Sequence, residues 1–312
     1  MGREAADVLA PEARADLGFA GVRPAAFEYF APRAIEEALD LLARHGTEAK
    51  PLAGGQSLVP MMNMRLARPA VVVDLNRVAA LDGVRAEAGS LRLGALVRQR
   101  ALERDGRIGA AAPLLAEAAP LIGHLQTRAR GTVGGSLVHA DPAAELPACA
   151  LALDAVFHLR SARAARACPA ADFFRGLLAT ALEADELLVE IEIPAPATAR
   201  TGHAVAEVAR RHGDFALVGA CAVVELDVAG LCRRARLVFF GAGDVPHVAR
   251  STGSLVGERP EPARLAEAAR AAAAELDPRA DLHATVDYRR RVAAGLGAQA
   301  LGRAATRAGA AS

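Results

Sequence analysis

Two short segments carry the residue types that hold a phosphate. In Ala53-Gly54-Gly55-Gln56-Ser57-Leu58 a glycine pair runs into an amide and a hydroxyl side chain. Paired glycines permit positive φ and bring bare backbone N–H groups up to a ligand, while Gln56 and Ser57 add side-chain donors. One such dipeptide alone reads more simply as an ordinary tight turn. Thr132-Val133-Gly134-Gly135-Ser136 repeats the chemistry further along the chain, again with hydroxyls bordering a glycine pair. Two turns of this kind suit a pyrophosphate gripped from two sides, as in a dinucleotide. The better-known alternatives find no support. The P-loop pattern G-x-x-x-x-G-K-[ST] is absent, and Gly241-Ala242-Gly243 opens like a dinucleotide fingerprint but runs into Val245-Pro246.

Other polar residues have simpler readings. His139, beside a helix start, reads as a hydrogen-bonding structural residue. Asp141 reads as a cap for a helix opened by Pro142, and Glu145 as a carboxylate favoured by that helix's dipole. Arg210, Arg211 and Asp214 read either as a charged cluster at a site or as a solvated ion-pair network. Met61, Met62 and Met64 read as packing or interface residues. None of these forms an acid/base pair, so no catalytic residue is assigned.

The elements that must position the two segments follow from periodicity. Residues 1–22 follow neither helical nor strand period and read as a loose arm. Ile35, Ala38, Leu39 and Leu42 define one face of a helix over 34–45, closed by Gly46. A short strand over 50–53 breaks into the first glycine turn, and further strands are predicted over 71–75 and 91–94. A helix is predicted over 108–119 and another from Pro142 to Leu153. Val189, Ile191 and Ile193 alternate with Glu190 and Glu192 in a strand stopped by Pro194. The Pro-, Ala- and Thr-rich stretch that follows places a domain boundary near residue 200, on the argument that an exposed connector carries few contacts. Beyond it, strands over 204–208, 216–226 and 236–240 precede helices over 262–275 and 284–307, the order of an α+β domain with an antiparallel sheet.

Composition narrows the function. The chain has 312 residues, enough for two domains, and its apolar fraction of 53% with 23% charged residues excludes a disordered chain. Lys plus Arg number 37 against 36 Asp plus Glu, so no basic surplus points to nucleic acid. Four cysteines, at 149, 168, 221 and 232, form no C-x-x-C pair and cannot supply an iron–sulfur cluster, so a metal centre belongs on a partner. With neither a membrane span nor a signal-peptide stretch in the sequence, the expected compartment is the cytoplasm.

The strings AGGQSLVP at 53–60, RGTVGGSLVHADPAAELPA at 130–148, DFFRGLLATALEADELLVEIEIP at 172–194, RRHGDFALVGA at 210–220 and the terminal DYRRRVAAGLGAQAL resemble the FAD-binding medium subunit of molybdenum hydroxylases. That family includes flavoprotein subunits of the carbon monoxide dehydrogenase and xanthine dehydrogenase type. The resemblance implies a two-subdomain FAD-binding domain of the vanillyl-alcohol oxidase (PCMH) type over 23–198, followed by a smaller α+β domain over 199–312. It implies FAD held by Ala53–Leu58 and Thr132–Ser136. Ile122 and Leu188 would give apolar contacts to the flavin, and Glu145 a polar one. It further implies an electron-transfer role beside an iron–sulfur small subunit and a molybdenum-cofactor large subunit, in a heterotrimer or a dimer of heterotrimers. The molybdenum cofactor and [2Fe-2S] clusters would sit on those partners only. Ser136, where many relatives have Asn, departs from the pattern. A free-standing FAD-dependent oxidase and a scaffold without cofactor are the alternatives.

Overall fold

The computed structural model describes residues 23–87 and 89–311. The expected arm over 1–22 falls outside the described residues.

The first layer is a small parallel sheet of β1 (Glu28–Phe30), β2 (Ala49–Leu52) and β3 (Val71–Asp74), ordered β1-β3-β2. Central β3 buries Val71, Val72 and Val73 alike, as a strand covered on both faces must. Helix α1 (Ile35–His45) lays Ala38, Leu39 and Leu42 into this core and ends at Gly46, whose φ is 52°. Helix α2 (Leu58–Asn63) links β2 to β3 and buries Met62 while Met64, just past its end, is exposed.

The second layer is an antiparallel sheet of β4 (Val84–Glu87), β5 (Ser90–Gly94), β6 (Val156–Arg160), β7 (Ala165–Pro169) and β10 (Leu187–Pro194), ordered β4-β5-β10-β6-β7. Late-arriving β10 inserts at the centre, so that Ile191 faces both Leu93 and Phe157 in register. A hairpin, β8 (Phe174–Gly176) and β9 (Ala179–Thr180), precedes it, and Phe173 and Phe174 pack edge-on against Phe157. Between β5 and β6 lie six short helices: α3 (Gln99–Arg104), α4 (Gly106–Ala111), α5 (Pro113–Ala118), α6 (Leu125–Arg130), α7 (Val133–His139) and α8 (Glu145–Ala152). The helix expected over 108–119 is therefore two, because Pro113 cannot continue α4 and instead opens α5. Likewise α8 begins at Glu145 rather than Pro142, and Asp141 accepts the Ala143 N–H in a local turn.

The remaining chain forms a four-stranded antiparallel sheet, β11 (Thr201–Ala209), β12 (Ala216–Leu226), β13 (Cys232–Phe240) and β14 (His247–Val248), covered on one face by α9 (Pro262–Ala274) and α10 (Val286–Ala310). Side-chain alternation sends Ala204, Ala220, Ala222 and Leu237 toward those helices. The opposite set, Val205, Cys221, Val223, Val238 and Phe240, enters the core that contains Leu146, Cys149 and Ala150 of α8. The two parts thus share one hydrophobic core across the seam, contrary to the sparse contact expected of a proline-rich connector. Polar bonds reinforce it: the Gly241 N–H donates to the Pro142 carbonyl at 2.8 Å and Arg236 to that of Leu151 at 2.7 Å. Arg303 and Arg307 of α10 both pair with Glu117 of α5.

Candidate functional site

The first glycine segment leaves the edge of the parallel sheet. Gly55 takes a φ of 73°, the left-handed conformation that the residue type allows. The chain then turns into α2, with the Val59 N–H donating to the Gly55 carbonyl (3.2 Å) and Met61 to that of Ser57 (3.1 Å). Among the described residues, the N–H groups of Gly55, Gln56, Ser57 and Leu58 find no protein acceptor. Four consecutive unpaired N–H groups at a partly buried turn form a concavity that suits an anion. Gln56 folds back and donates to the Gly54 carbonyl at 3.2 Å, so its amide braces the turn.

The second segment differs from expectation. Gly134 and Gly135 are not a positive-φ turn; they belong to the first turn of α7, which Thr132 caps by accepting the Gly135 N–H at 3.0 Å. The Val133 N–H goes to the Val97 carbonyl and that of Gly134 to Ala95, each at 2.9 Å. Backbone donors at this segment are therefore already used, and the idea that both turns aim N–H groups at one phosphate is corrected. The half-buried Ser136 hydroxyl, for which no protein partner is present among the described residues, is the group this segment can offer.

The glycines here serve close packing. A Cβ on Gly54 would collide with the Arg130 carbonyl oxygen and stand 2.7 Å from the Gly131 Cα. A Cβ on Gly134 would lie 2.6 Å from that of Ala95, and one on Gly135 would reach 3.7 Å from the Ala53 Cβ. The first segment thus packs against Arg130–Gly131, the residues that lead into the second, and brings Ala53 close to Gly135. Arg98 holds them in register: its guanidinium donates to the Arg130 carbonyl and, at 2.6 Å, to Asn76 Oδ1. Asn76 in turn donates to the Ala53 carbonyl at 2.8 Å. Burial and the nearby Arg130 charge lower the Arg98 pKa below its usual value.

Ile122 and Leu188 are buried in the shared core. Arg128, itself buried, donates to the carbonyls of Ile122 and Gly123, each at 2.9 Å, and pairs with Glu103, so this charge fixes the backbone at Ile122. Against the same stretch lies the loop carrying Gly213, whose absent side chain makes room for His124. Phe215 on that loop is 66% exposed, while Arg211 and Asp214 pair at the surface. Glu145 is only 5% exposed. Burial, with the neighbouring Glu207 charge second, pushes its pKa up to about 8, and burial pushes Glu207 up to about 7. The Oε2 atom of Glu207 is buried without a hydrogen-bond partner among the described residues.

Sequence reasoning missed Asn76, Arg98, Arg128 and Glu207. For Asn76 a signal existed: parallel pairing of Leu52 with Asp74 carries the chain just past β3 alongside the chain just past β2. Arg98 reaches residues 22 and 32 positions away, Arg128 bonds backbone carbonyls that carry no residue signal, and the buried Glu207 Oε2 has no partner among the described residues, so none of the three leaves a local pattern. A cleft of about 500 Å³ beside the connector, lined by Asp154, His203, Glu225 and Arg234 among others, shares no residue with the glycine segments. Among the described residues no His, Cys, Asp and Glu cluster could hold a metal, and no helix is long and apolar enough to cross a membrane.

Comparison with known proteins places this architecture. The family described as "FAD binding domain in molybdopterin dehydrogenase" matches residues 25–196, and "CO dehydrogenase flavoprotein C-terminal domain" matches 203–304. The 6-hydroxypseudooxynicotine dehydrogenase complex subunit alpha of Paenarthrobacter nicotinovorans is 40% identical over 87% of this chain and 92% of its own length. The solved carbon monoxide dehydrogenase from Hydrogenophaga pseudoflava superposes with a TM-score of 0.88 at 37% identity, covering 91% of this chain and 99% of that one. Quinoline 2-oxidoreductase from Pseudomonas putida 86 gives 0.87 at 36%, covering 92% and 99%. The chain belongs to the FAD-binding medium subunits of the molybdenum hydroxylase family, oxidoreductases of several subunits.

Proposed function

We propose that this chain is the electron-transfer subunit of a molybdenum hydroxylase, receiving electrons from iron–sulfur clusters on a small subunit and delivering them to an external acceptor. The observation that carries this reading is the contact between the two glycine segments, with four unpaired N–H groups on one of them. FAD, when bound, supplies the ability to accept electrons from one donor and release them to another. The chain's own residues bind and orient. The N–H groups of Gly55, Gln56, Ser57 and Leu58 offset diphosphate charge, and the Ser57 and Ser136 hydroxyls add donors. Arg130, Gly131 and Gly135 form the wall against which Gly54 and Ala53 close; Val133 and Gly134 fix that wall to Val97 and Ala95, and Thr132 caps it at Gly135. Ile122 and Leu188 exclude water from the ring, and Glu145 offers a carboxyl that burial favours protonated. The unpaired Glu207 oxygen supports a polar group of the ligand near this pair.

On this reading the cofactor-binding unit spans 23–198 and the α+β unit 199–312. The assembly is a heterotrimer, or its dimer, with an iron–sulfur small subunit and a molybdenum-cofactor large subunit. Purification under native conditions tests it. Flavin absorption near about 450 nm, two co-purifying chains carrying iron and molybdenum, and no substrate oxidation by the isolated chain are expected. Turnover by the isolated chain would favour a free-standing oxidase, and a colourless chain that takes up no added FAD would overturn both.

A further inference from the structure

The seam between the two parts buries a thiol pair that cofactor binding leaves unused. Cys149, one turn after Glu145 on α8, and Cys221, within β12, bring their sulfurs to 3.6 Å, and both are fully buried. They lie 72 residues apart in sequence and on opposite sides of the seam. Glu145 and Glu207 stand near enough for their charges to act on Cys221. Cys168 on β7 and Cys232 at the start of β13 are also buried, and Cys168 Sγ donates to a backbone carbonyl.

We propose that Cys149 and Cys221 are a modification site, a dithiol that hydrogen peroxide converts to a disulfide stapling α8 to β12. The sulfurs are already in contact, and a bond at about 2 Å asks for a further approach of about 1.5 Å. One sulfur gives up its proton and attacks a peroxide oxygen. The O–O bond breaks, and the leaving oxygen takes that proton to depart as water, so a sulfenic acid remains. The second sulfur attacks the first: the S–S bond forms, the S–O bond breaks, and a second water leaves with the second thiol's proton. The pair gives up two electrons, and one peroxide becomes two waters. The hydrogen bond to the partner thiol, then burial and the two carboxyl groups, hold Cys221 protonated, so the pair stays reduced until peroxide reaches the seam.

The test uses full-length protein treated with hydrogen peroxide, then unfolded in an alkylating reagent and digested. Two of the four thiols are expected to become unreactive, with one linked peptide joining Cys149 to Cys221. Dithiothreitol should restore both thiols, and the oxidised protein should melt at a higher temperature than the reduced one. Cys149→Ser should abolish the linked peptide, and Cys168→Ser should leave it in place. Since serine at a fully buried position can prevent folding, the thiol count of the unsubstituted protein decides the matter by itself. Four alkylated thiols, a link to Cys168 or Cys232, or separate oxidation of each cysteine to a sulfinic acid would overturn the proposal. Flavin content is not read in this experiment, so its outcome is independent of the cofactor reading.

Discussion

Gly54 and Gly55 are adjacent, yet each answers a different demand. Gly54 is buried against the Arg130–Gly131 backbone, whereas Gly55 has a left-handed φ and presents its N–H outward. Gly54→Val should therefore part the two segments, abolishing FAD retention and lowering the melting temperature together. Gly55→Ala, which strains the turn by roughly 1–2 kcal/mol, should weaken FAD binding while the fold persists. Fluorescence titration with FAD alongside thermal unfolding distinguishes them; unchanged flavin content in both variants would remove the segment from the site. Arg98→Ala should lower FAD affinity by about tenfold, ~1.4 kcal/mol, because the brace between Asn76 and Arg130 is lost. The raised pKa values of Glu145 and Glu207 fix the sign of a pH effect. Their stabilisation is fully present below the unfolded carboxyl value of 4.5 and is lost as pH rises through about 7 and then about 8. The melting temperature should fall between about pH 5 and about pH 9, and Glu145→Gln should flatten that slope. A profile as steep in the variant as in the parent would show that other groups set it.

Helices and strands with strong periodicity were legible: α1, the central stretch of β12 and α9 lie close to where their apolar spacing puts them. What was not legible has physical causes. Pro113 splits one alanine-rich run into two helices, because its missing N–H and fixed φ suit a first turn and no other. Thr132 turns an expected glycine loop into the start of α7, since its hydroxyl and the Val97 and Ala95 carbonyls satisfy the donors there. Arg98 and Arg128 escaped notice because their partners are backbone carbonyls or side chains remote in sequence, which no local pattern encodes. That backbone comes close at the two glycine segments was legible from residue type, but the expected neighbour was a phosphate and the observed one is protein: Arg130–Gly131 for Gly54 and Ala95 for Gly134. Thr132→Ala should cost about 1 kcal/mol of stability by uncapping α7 and leaving the half-buried Gly135 N–H without a protein acceptor. Equilibrium unfolding in urea checks this, and a loss of stability no greater than that of an exposed control would show that water replaces the cap.

At the scale of the molecule, the shared core decides how the parts behave when separated. Residues 199–312 alone would expose Val205, Cys221, Val223, Val238 and Phe240, the face that α8 covers. Expressed alone, this segment should aggregate or bind a hydrophobic dye, while the whole chain should unfold in one transition. A monomeric, dye-free fragment with native-like stability would contradict this. The linker composition suggested separable units because a Pro-rich connector is visible in a sequence, whereas the apolar face it leads to is not. The double pairing of Glu117 with Arg303 and Arg307 has a wider reach. Chain from α5 runs directly into Ile122, so the final helix is tied through Glu117 to the stretch proposed above to shield the flavin. Truncation before Arg303, which removes both partners of Glu117, should be read out as flavin loss in the absorption spectrum of the purified protein.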